Sequence, residues 1–326
     1  MKDYYKDKRI SNSSLSWFQT SPRYFKDMFD NTIEEESKPY FEKGQQVHMF
    51  ILEPDEFEKE YTFMDYDPPK SAQQKAFCEK VARLKKGTKD EQLIRAYKDI
   101  YSTKESDDKI LEKAKVLEKD YKDFIKFTKL NPHVIKVLPT AVLKQLEESK
   151  IKVLEHKVAR NIVFSEEHKL FGDSDKLFIK NEFAIQWEYP KLGLSCKSML
   201  DRIIIDHERK EISIVDLKTT SNLPEFKDKA KEYRYHRQMA FYWMAVTWYI
   251  TNELKLNIAD YTKNTYIVAI STKGPVAVKV FKVLESTLLD GLKEIEQVMP
   301  ELKWHFDNNL WDYTRLYYEG EGLETF

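Results

Sequence analysis

One apolar run constrains this chain more than any other segment: Ile212-Ser213-Ile214-Val215-Asp216-Leu217-Lys218-Thr219-Thr220, with Asp201 and Ile203-Ile204-Ile205 ahead of it. Isoleucine and valine at this density read as strand. Alternation along a strand sends Ile212, Ile214, Asp216 and Lys218 to one face. The two isoleucines anchor that face in a core, so the strand ends by presenting a carboxylate and an ammonium side by side. Burying such a pair unassisted is costly. A divalent cation and a phosphodiester would be suitable partners. The Asp-x-Lys spacing alone is weak evidence, because a chain that is 33% charged makes it often. With Glu allowed for Asp it recurs at Glu36-Ser37-Lys38, Asp107-Asp108-Lys109, Asp120-Tyr121-Lys122 and Glu225-Phe226-Lys227, all in polar, helix-like text. Only Asp216-Leu217-Lys218 closes a β-branched run, and its competing reading is a salt-bridged strand end.

Composition narrows the class. Lys+Arg and Asp+Glu number 54 and 55, so the chain has no global basic signature, and a nucleic-acid partner would need a local basic groove. Cys78 and Cys196 are the two cysteines, which excludes a disulfide framework and any four-cysteine metal or iron–sulfur site. This suits a reducing cytoplasm. The start, Met1-Lys2-Asp3-Tyr4-Tyr5, has no signal-peptide core, and the longest largely apolar stretch, Phe241 to Ile250, is too short to span a membrane.

Helix-start signals at Ser11-Asn12-Ser13-Ser14 and Ser21-Pro22 open a helical N-terminal part, followed by a helix from Glu34 to Leu52. From Ser71 to about Leu130 the text is charged and helical, with Phe77, Val81 and Leu84 as one apolar stripe and Ser102 to Asp108 as the turn between two long helices. Ala141 to Val163 reads as a helix. Strands follow at Glu182–Glu188, Leu194–Ile205 and Glu211–Leu217, then a long helix from Pro224 to about Leu254. Tyr266–Ser271 and Val276–Val283 form a hairpin, and a helix from Glu285 is stopped by Pro300. This order predicts an α/β fold: a small central mixed sheet flanked by helices, with a helical insertion.

Asp201 falls on the second strand, and Asp216 and Lys218 on the third. Acids on neighbouring strands can share one hard cation that prefers oxygen ligands. A lysine on the same face can orient or deprotonate a water. On the next helix Tyr235, Gln238 and Tyr242 share one face, and the competing reading there is the polar edge of an amphipathic helix. His48 sits in Gly44-Gln45-Gln46-Val47-His48 within a predicted helix. Glycine inside a helix costs about 1 kcal/mol against alanine, which often signals the close approach of another group. By itself a lone core histidine is usually structural.

Together these residues resemble a known family. Gly44 with His48, then Asp201, then Asp216-Leu217-Lys218-Thr219-Thr220, then Tyr235-His236-Arg237-Gln238 through Tyr242 follow the pattern of phage and prophage nucleases of the RecE (exonuclease VIII) type. That family lies in the PD-(D/E)xK superfamily, with lambda exonuclease and the RecB nuclease domain. The likeness covers roughly residues 10–64 and 180–245. The residue before Asp201 is Leu200 rather than the namesake proline.

The resemblance implies a single nuclease domain over 1–326: an N-terminal helical part (1–64) carrying His48, a helical insertion (70–130), a catalytic core (140–300) and a C-terminal tail (301–326). It implies Asp201 and Asp216 as metal carboxylates, Lys218 as catalytic lysine, His48 as a further metal ligand, and Gln238 and Tyr242 as the supporting helix motif. Glu182 is a weaker carry-over, for an exposed strand-end acid is its plain alternative. The implied cofactor is Mg2+, with Mn2+ able to substitute. The implied activity is 5′-to-3′ degradation from duplex DNA ends in a bacterial host. A single-strand annealing protein as partner and a homo-oligomeric ring belong to the same picture. An endonuclease or single-strand nuclease on this core, and a non-catalytic DNA-binding protein, are the alternatives. For DNA contact the expectation is Lys227, Lys231, Arg234 and Arg237, against the reading of a solvated helix face, since Glu225, Asp228 and Glu232 interleave.

Overall fold

Small polar residues place the first helix starts where the sequence signals them. In the computed structural model, which describes residues 4, 7–33, 39–64, 68–130, 136–164 and 176–323, the Ser11 hydroxyl accepts the Ser14 N–H at the head of α1 (Asn12–Thr20). Ser21 does the same for Tyr24 at the head of α2 (Pro22–Phe29). Each cap satisfies a donor that the first turn leaves unpaired. Next come α3 (Pro39–Leu52), α4 (Pro54–Glu60) and β1 (Tyr61–Met64). The part of the expected helix before Pro39 lies outside the described residues.

The charged segment forms four helices rather than two: α5 (Ala72–Arg83), α6 (Lys89–Tyr101), α7 (Asp107–Asp120) and α8 (Lys122–Leu130). Local chemistry makes the first of the extra breaks. Gly87 takes φ 95°, and Thr88 with Glu91 builds a capping box at the start of α6. After β2 (Lys136–Pro139) the expected single helix is two, α9 (Thr140–Glu155) and α10 (Lys157–Val163), because the His156 ring accepts the Ala159 N–H at 3.2 Å and starts a new helix.

The remaining elements are β3 (Leu177–Tyr189), β4 (Leu194–Asp206), β5 (Glu211–Thr220), α11 (Phe226–Glu232), α12 (Tyr235–Asn252), β6 (Thr262–Ser271), β7 (Val278–Lys282), α13 (Glu285–Asn308) and α14 (Arg315–Glu319). Chain contacts divide the molecule into two units, residues 1–52 with 149–326, and residues 53–148. In the smaller unit α5 to α8 bury Phe77, Cys78, Leu93, Ala96, Ala114 and Phe124 together, and β1 pairs with β2 in parallel.

The larger unit holds a five-stranded mixed sheet among the described residues, in the order β3-β4-β5-β6-β7. Every pairing is antiparallel except β5 with β6. A parallel pair needs a long crossover, and α11 with α12 supplies it. Both faces of β5 are covered: Ile212, Ile214, Val215, Asp216 and Leu217 are all buried. The fold class is therefore the mixed α/β class expected. Two more helices differ from the reading of the sequence. The predicted helix from Pro224 breaks at Tyr233-Arg234, and α13 runs through Pro300 to Asn308. Pro300 deletes one donor, but Leu302 and His305 beyond it are fully buried, so packing carries the helix past it. No helix among the described residues is long and apolar enough to cross a membrane.

Candidate active site

The sheet forks where the acids lie. β4 and β5 pair from Arg202↔Val215 to Asp206↔Glu211, and beyond Arg202 the two strands separate. The first strand N–H left without a ladder partner, that of Leu217, donates to Asp201 Oδ2 at 2.7 Å. The carboxylate thus replaces a backbone acceptor at the mouth of the fork. On the far side of the gap the chain around Ile10 bridges β4: the Lys197 N–H donates to the Ile10 carbonyl at 2.7 Å.

Asp216 faces this opening. It is completely buried, and neither of its carboxylate oxygens receives a hydrogen bond of normal geometry. Lys218 Nζ stands 2.6 Å from Oδ2, ion-pair distance without that alignment. Burial pushes the Asp216 carboxyl up to about 6, against the pull of Lys218. Asp201 is raised by burial too, with Lys218 and the Leu217 N–H pulling the other way. Burial also works against the Lys218 charge, but Asp216 and Asp201 outweigh it and hold the ammonium well above its ordinary range. The Tyr235 ring, 5.0 Å from Lys218 Nζ, covers the same cation.

α3 brings His48 to the fork. Its Nδ1 lies 3.4 Å from Asp201 Oδ2. Burial, with Lys218 adding to it, lowers the imidazole to about 4, which leaves the ring neutral and able to donate a lone pair to a metal. Gly44 permits the approach: a Cβ at that position would stand 3.1 Å from Thr219 Oγ1 on β5. Glu182 arrives through a local distortion of β3. The ladder with β4 runs through Asn181↔Arg202 and resumes at Phe183↔Leu200, while Glu182, opposite Asp201, has φ 45°. A left-handed glutamate within a strand is strained, and such strain concentrates at functional sites. Ligand atoms of His48, Glu182 and Asp201 all lie within 4.8 Å of one another. This is the one group of metal-ligating side chains found among the described residues. Asp216 adjoins it, coupled electrostatically to both Asp201 and His48.

The donor set fits a hard divalent cation: three carboxylates and one neutral imidazole, with the buried Asp216 carboxylate met by the Lys218 ammonium and its Oδ1 free to take a ligand. The raised Asp216 also makes a pH prediction. A carboxyl lifted above its unfolded value favours the folded state most at low pH, and that contribution is lost as pH rises through about 6. The metal-free protein should therefore lose on the order of 2 kcal/mol between pH 4 and 7 from this group. Mn2+ should restore more stability at pH 7.5 than at pH 5. Thermal melts in EDTA and in Mn2+ across this range check both, and a pH-independent gain from metal would contradict them.

On α12 the Gln238 side-chain amide donates to the Tyr242 hydroxyl at 2.8 Å. Burial, with Asp216 and Asp201 close by, keeps the Tyr242 phenol well above its ordinary range and so protonated. Arg237 is a correction. It is fully buried: its guanidinium donates to Ser16 Oγ at 2.6 Å, to Asn12 Oδ1 at 3.0 Å and to Gln19, so it ties α12 to α1 and is closed to DNA. Arg234 meets Glu294 at 3.5 Å. Lys227 and Lys231 are exposed, one turn apart on α11, and neither enters an ion pair among the described residues. The sequence places Tyr235 in the helix motif without a role, and the structure sets its ring over Lys218. The two cysteines are buried thiols, one in each unit, both pushed up to about 12 by burial.

Comparison with known proteins agrees with the fold. The family described as "PDDEXK-like domain of unknown function (DUF3799)" matches residues 140–313, more than half of the chain. No curated protein matches. Among solved structures, the chain is similar to a Eubacterium rectale protein named "Putative exonuclease", at 15% identity over 90% of this chain and 89% of that one, with a TM-score of 0.34. It is also similar to SSO0001, at 13% identity over 74% of this chain and 91% of that one, with a TM-score of 0.23. Likenesses this distant carry no weight for activity.

Proposed function

The chain belongs to this PDDEXK-like family, and on that premise we propose that it is a divalent-metal-dependent deoxyribonuclease. Asp216 carries the reading: a fully buried carboxylate whose partner is the Lys218 ammonium, 2.6 Å from Oδ2, next to a His48–Glu182–Asp201 group. An inert strand end would not retain so costly an arrangement. Mg2+ is the proposed cation, with Mn2+ substituting, held by Asp201, Asp216, His48 and Glu182. When bound, it supplies Lewis-acid polarisation of the phosphodiester and an acidified water. Asp201 and Asp216 orient it through oxygens fixed on two strands. Lys218, kept as an ammonium between Asp216 and the Tyr235 ring, donates to a phosphate oxygen. Gln238 and Tyr242 brace the helix that covers these groups.

The finer assignment rests on the resemblance to RecE-type nucleases. It is a 5′-to-3′ exonuclease acting on duplex ends in the cytoplasm of a bacterial host, in phage-type recombination beside a single-strand annealing protein, and assembled as a ring-shaped homo-oligomer. Incubation of linear and circular duplex DNA with Mg2+ or EDTA tests it. An exonuclease degrades only the linear form, and an endonuclease opens both. Failure to cut either one contradicts the proposal. Strand-specific end labels then read the polarity.

Two further outcomes are expected. His48→Ala should weaken Mn2+ binding, measured by titration calorimetry, by about tenfold or more. An unchanged affinity would return His48 to the core. For the DNA path, Lys227→Gln with Lys231→Gln should flatten the dependence of log K on log salt by roughly 1.8, at about 0.9 for each phosphate contact. An unaltered slope would leave both lysines on a solvated helix face.

A further inference from the structure

The break between α11 and α12 is imposed from outside these helices. Arg234 occupies the left-handed region at φ 55°, ψ 41°, where arginine is strained and no glycine or proline assists. Glu294 on α13 holds the break residue and the first turn of α12: His236 Nε2 is 2.7 Å from Oε1, and Arg234 Nη1 is 3.5 Å from Oε2. One turn earlier, Gly291 sets the α13 backbone directly against the His236 carbonyl.

At the break one of two neighbouring aromatics is half-buried and the other is exposed. Tyr235 is partly buried and lies over Lys218 Nζ at 5.0 Å. Tyr233 is 57% exposed, with its ring centre 5.9 Å from that of Tyr235. Tyr233 is therefore two aromatic steps from the lysine of the candidate site, on the segment that follows exposed Lys227 and Lys231. A large aromatic in water adds little to stability. A strained backbone at Arg234 that holds it there, near the exposed Lys227 and Lys231 and the proposed phosphodiester site, has a use in binding nucleic acid, because every base offers a π-face to stack upon.

We propose that Tyr233 is a positioning residue that stacks on an unpaired base of the substrate strand, next to the phosphodiester presented to Lys218. The role rests on the nuclease reading above. It lets the site hold a frayed or single-stranded end without sequence preference, since stacking is sequence-tolerant.

The test uses the full chain and a duplex with a short single-stranded end carrying 2-aminopurine. Tyr233→Ala should raise KM by about tenfold and leave kcat within about twofold, given the strength of a base–aromatic stack. Tyr233→Phe, which keeps the ring, should match the wild type. In the uncleaving Asp216→Asn background, 2-aminopurine fluorescence should be quenched on binding, and Tyr233→Ala should relieve that quench. A wild-type enzyme that cleaves with Mg2+, paired with a Tyr233→Ala variant unaltered in KM and in quenching, overturns the stacking role alone. Wild-type protein that cleaves no substrate with Mg2+ overturns the nuclease reading and the stacking role with it.

Discussion

Asp216→Asn is expected to slow cleavage by a factor on the order of 10³ or more while the protein still folds and binds DNA. The asparagine keeps the shape of the side chain but cannot present a charged oxygen to a cation. The neighbouring Asp201 keeps its bond from the Leu217 N–H, so the fork between β4 and β5 has no reason to close. Lys218 loses its 2.6 Å partner yet retains Asp201 and the Tyr235 ring. The variant should bind Mn2+ more weakly, and its metal-free melting temperature should lose most of the fall with pH that Asp216 gives the wild type near pH 6. Quantitative cleavage on end-labelled DNA, with circular dichroism as the folding control, measures this. A wild-type rate in the variant would remove Asp216 from the reaction.

The largest effect on stability is expected at Gly291. A Cβ there would stand 2.3 Å from the His236 carbonyl oxygen, 2.6 Å from its carbon and 2.9 Å from Arg237 Cα. All three are backbone atoms that cannot swing aside, so α13 and α12 must move apart. Overpacking of a rigid interface costs about 1–3 kcal/mol and at times more, while the better helix propensity of alanine returns only about 1. The clash falls between two helices that pack much of the core and hold Glu294 against His236, so the net loss should lie at the upper end, about 3 kcal/mol. At roughly 2–4 °C per kcal/mol for a chain of 150–250 residues, somewhat less for one this long, Gly291→Ala should lower Tm by about 6 °C. It should also weaken DNA binding, because Tyr233, Arg234 and Tyr235 follow the shifted helix. An unchanged Tm would show that the two helices can separate at no cost.

What could be read from the sequence divides along physical lines. The strands and the pair Asp216 and Lys218 were legible because period-2 alternation is local and a buried strand end leaves few alternatives. Gly44 signalled the approach of α3 to the sheet, since a helix pays for glycine only where something comes close. Arg237 was misread: a charged residue near the start of a helix looks like a surface residue until its acceptors are known. Those acceptors, on Asn12, Ser16 and Gln19, lie more than two hundred residues away in sequence. The break at Arg234 had no signal either, for it is fixed by Glu294 and Gly291 on a later helix. Glu182 was legible only as a carry-over from the resemblance, because its left-handed backbone belongs to the β3–β4 ladder rather than to its neighbours in sequence. Pro300 gave a false stop, overridden by the burial of Leu302 and His305.

In the proposed site, side chains from α3, β3, β4 and β5 meet at one divalent cation. Crystals grown with Mn2+, with anomalous diffraction measured at the manganese edge, test it most directly. A peak is expected at the fork, with a His48 ring nitrogen and oxygens of Asp201 and Asp216 within about 2.0–2.4 Å of the ion and Glu182 facing it directly or through a water. Manganese bound elsewhere in a protein that cleaves DNA with Mn2+, with this fork empty, would contradict it.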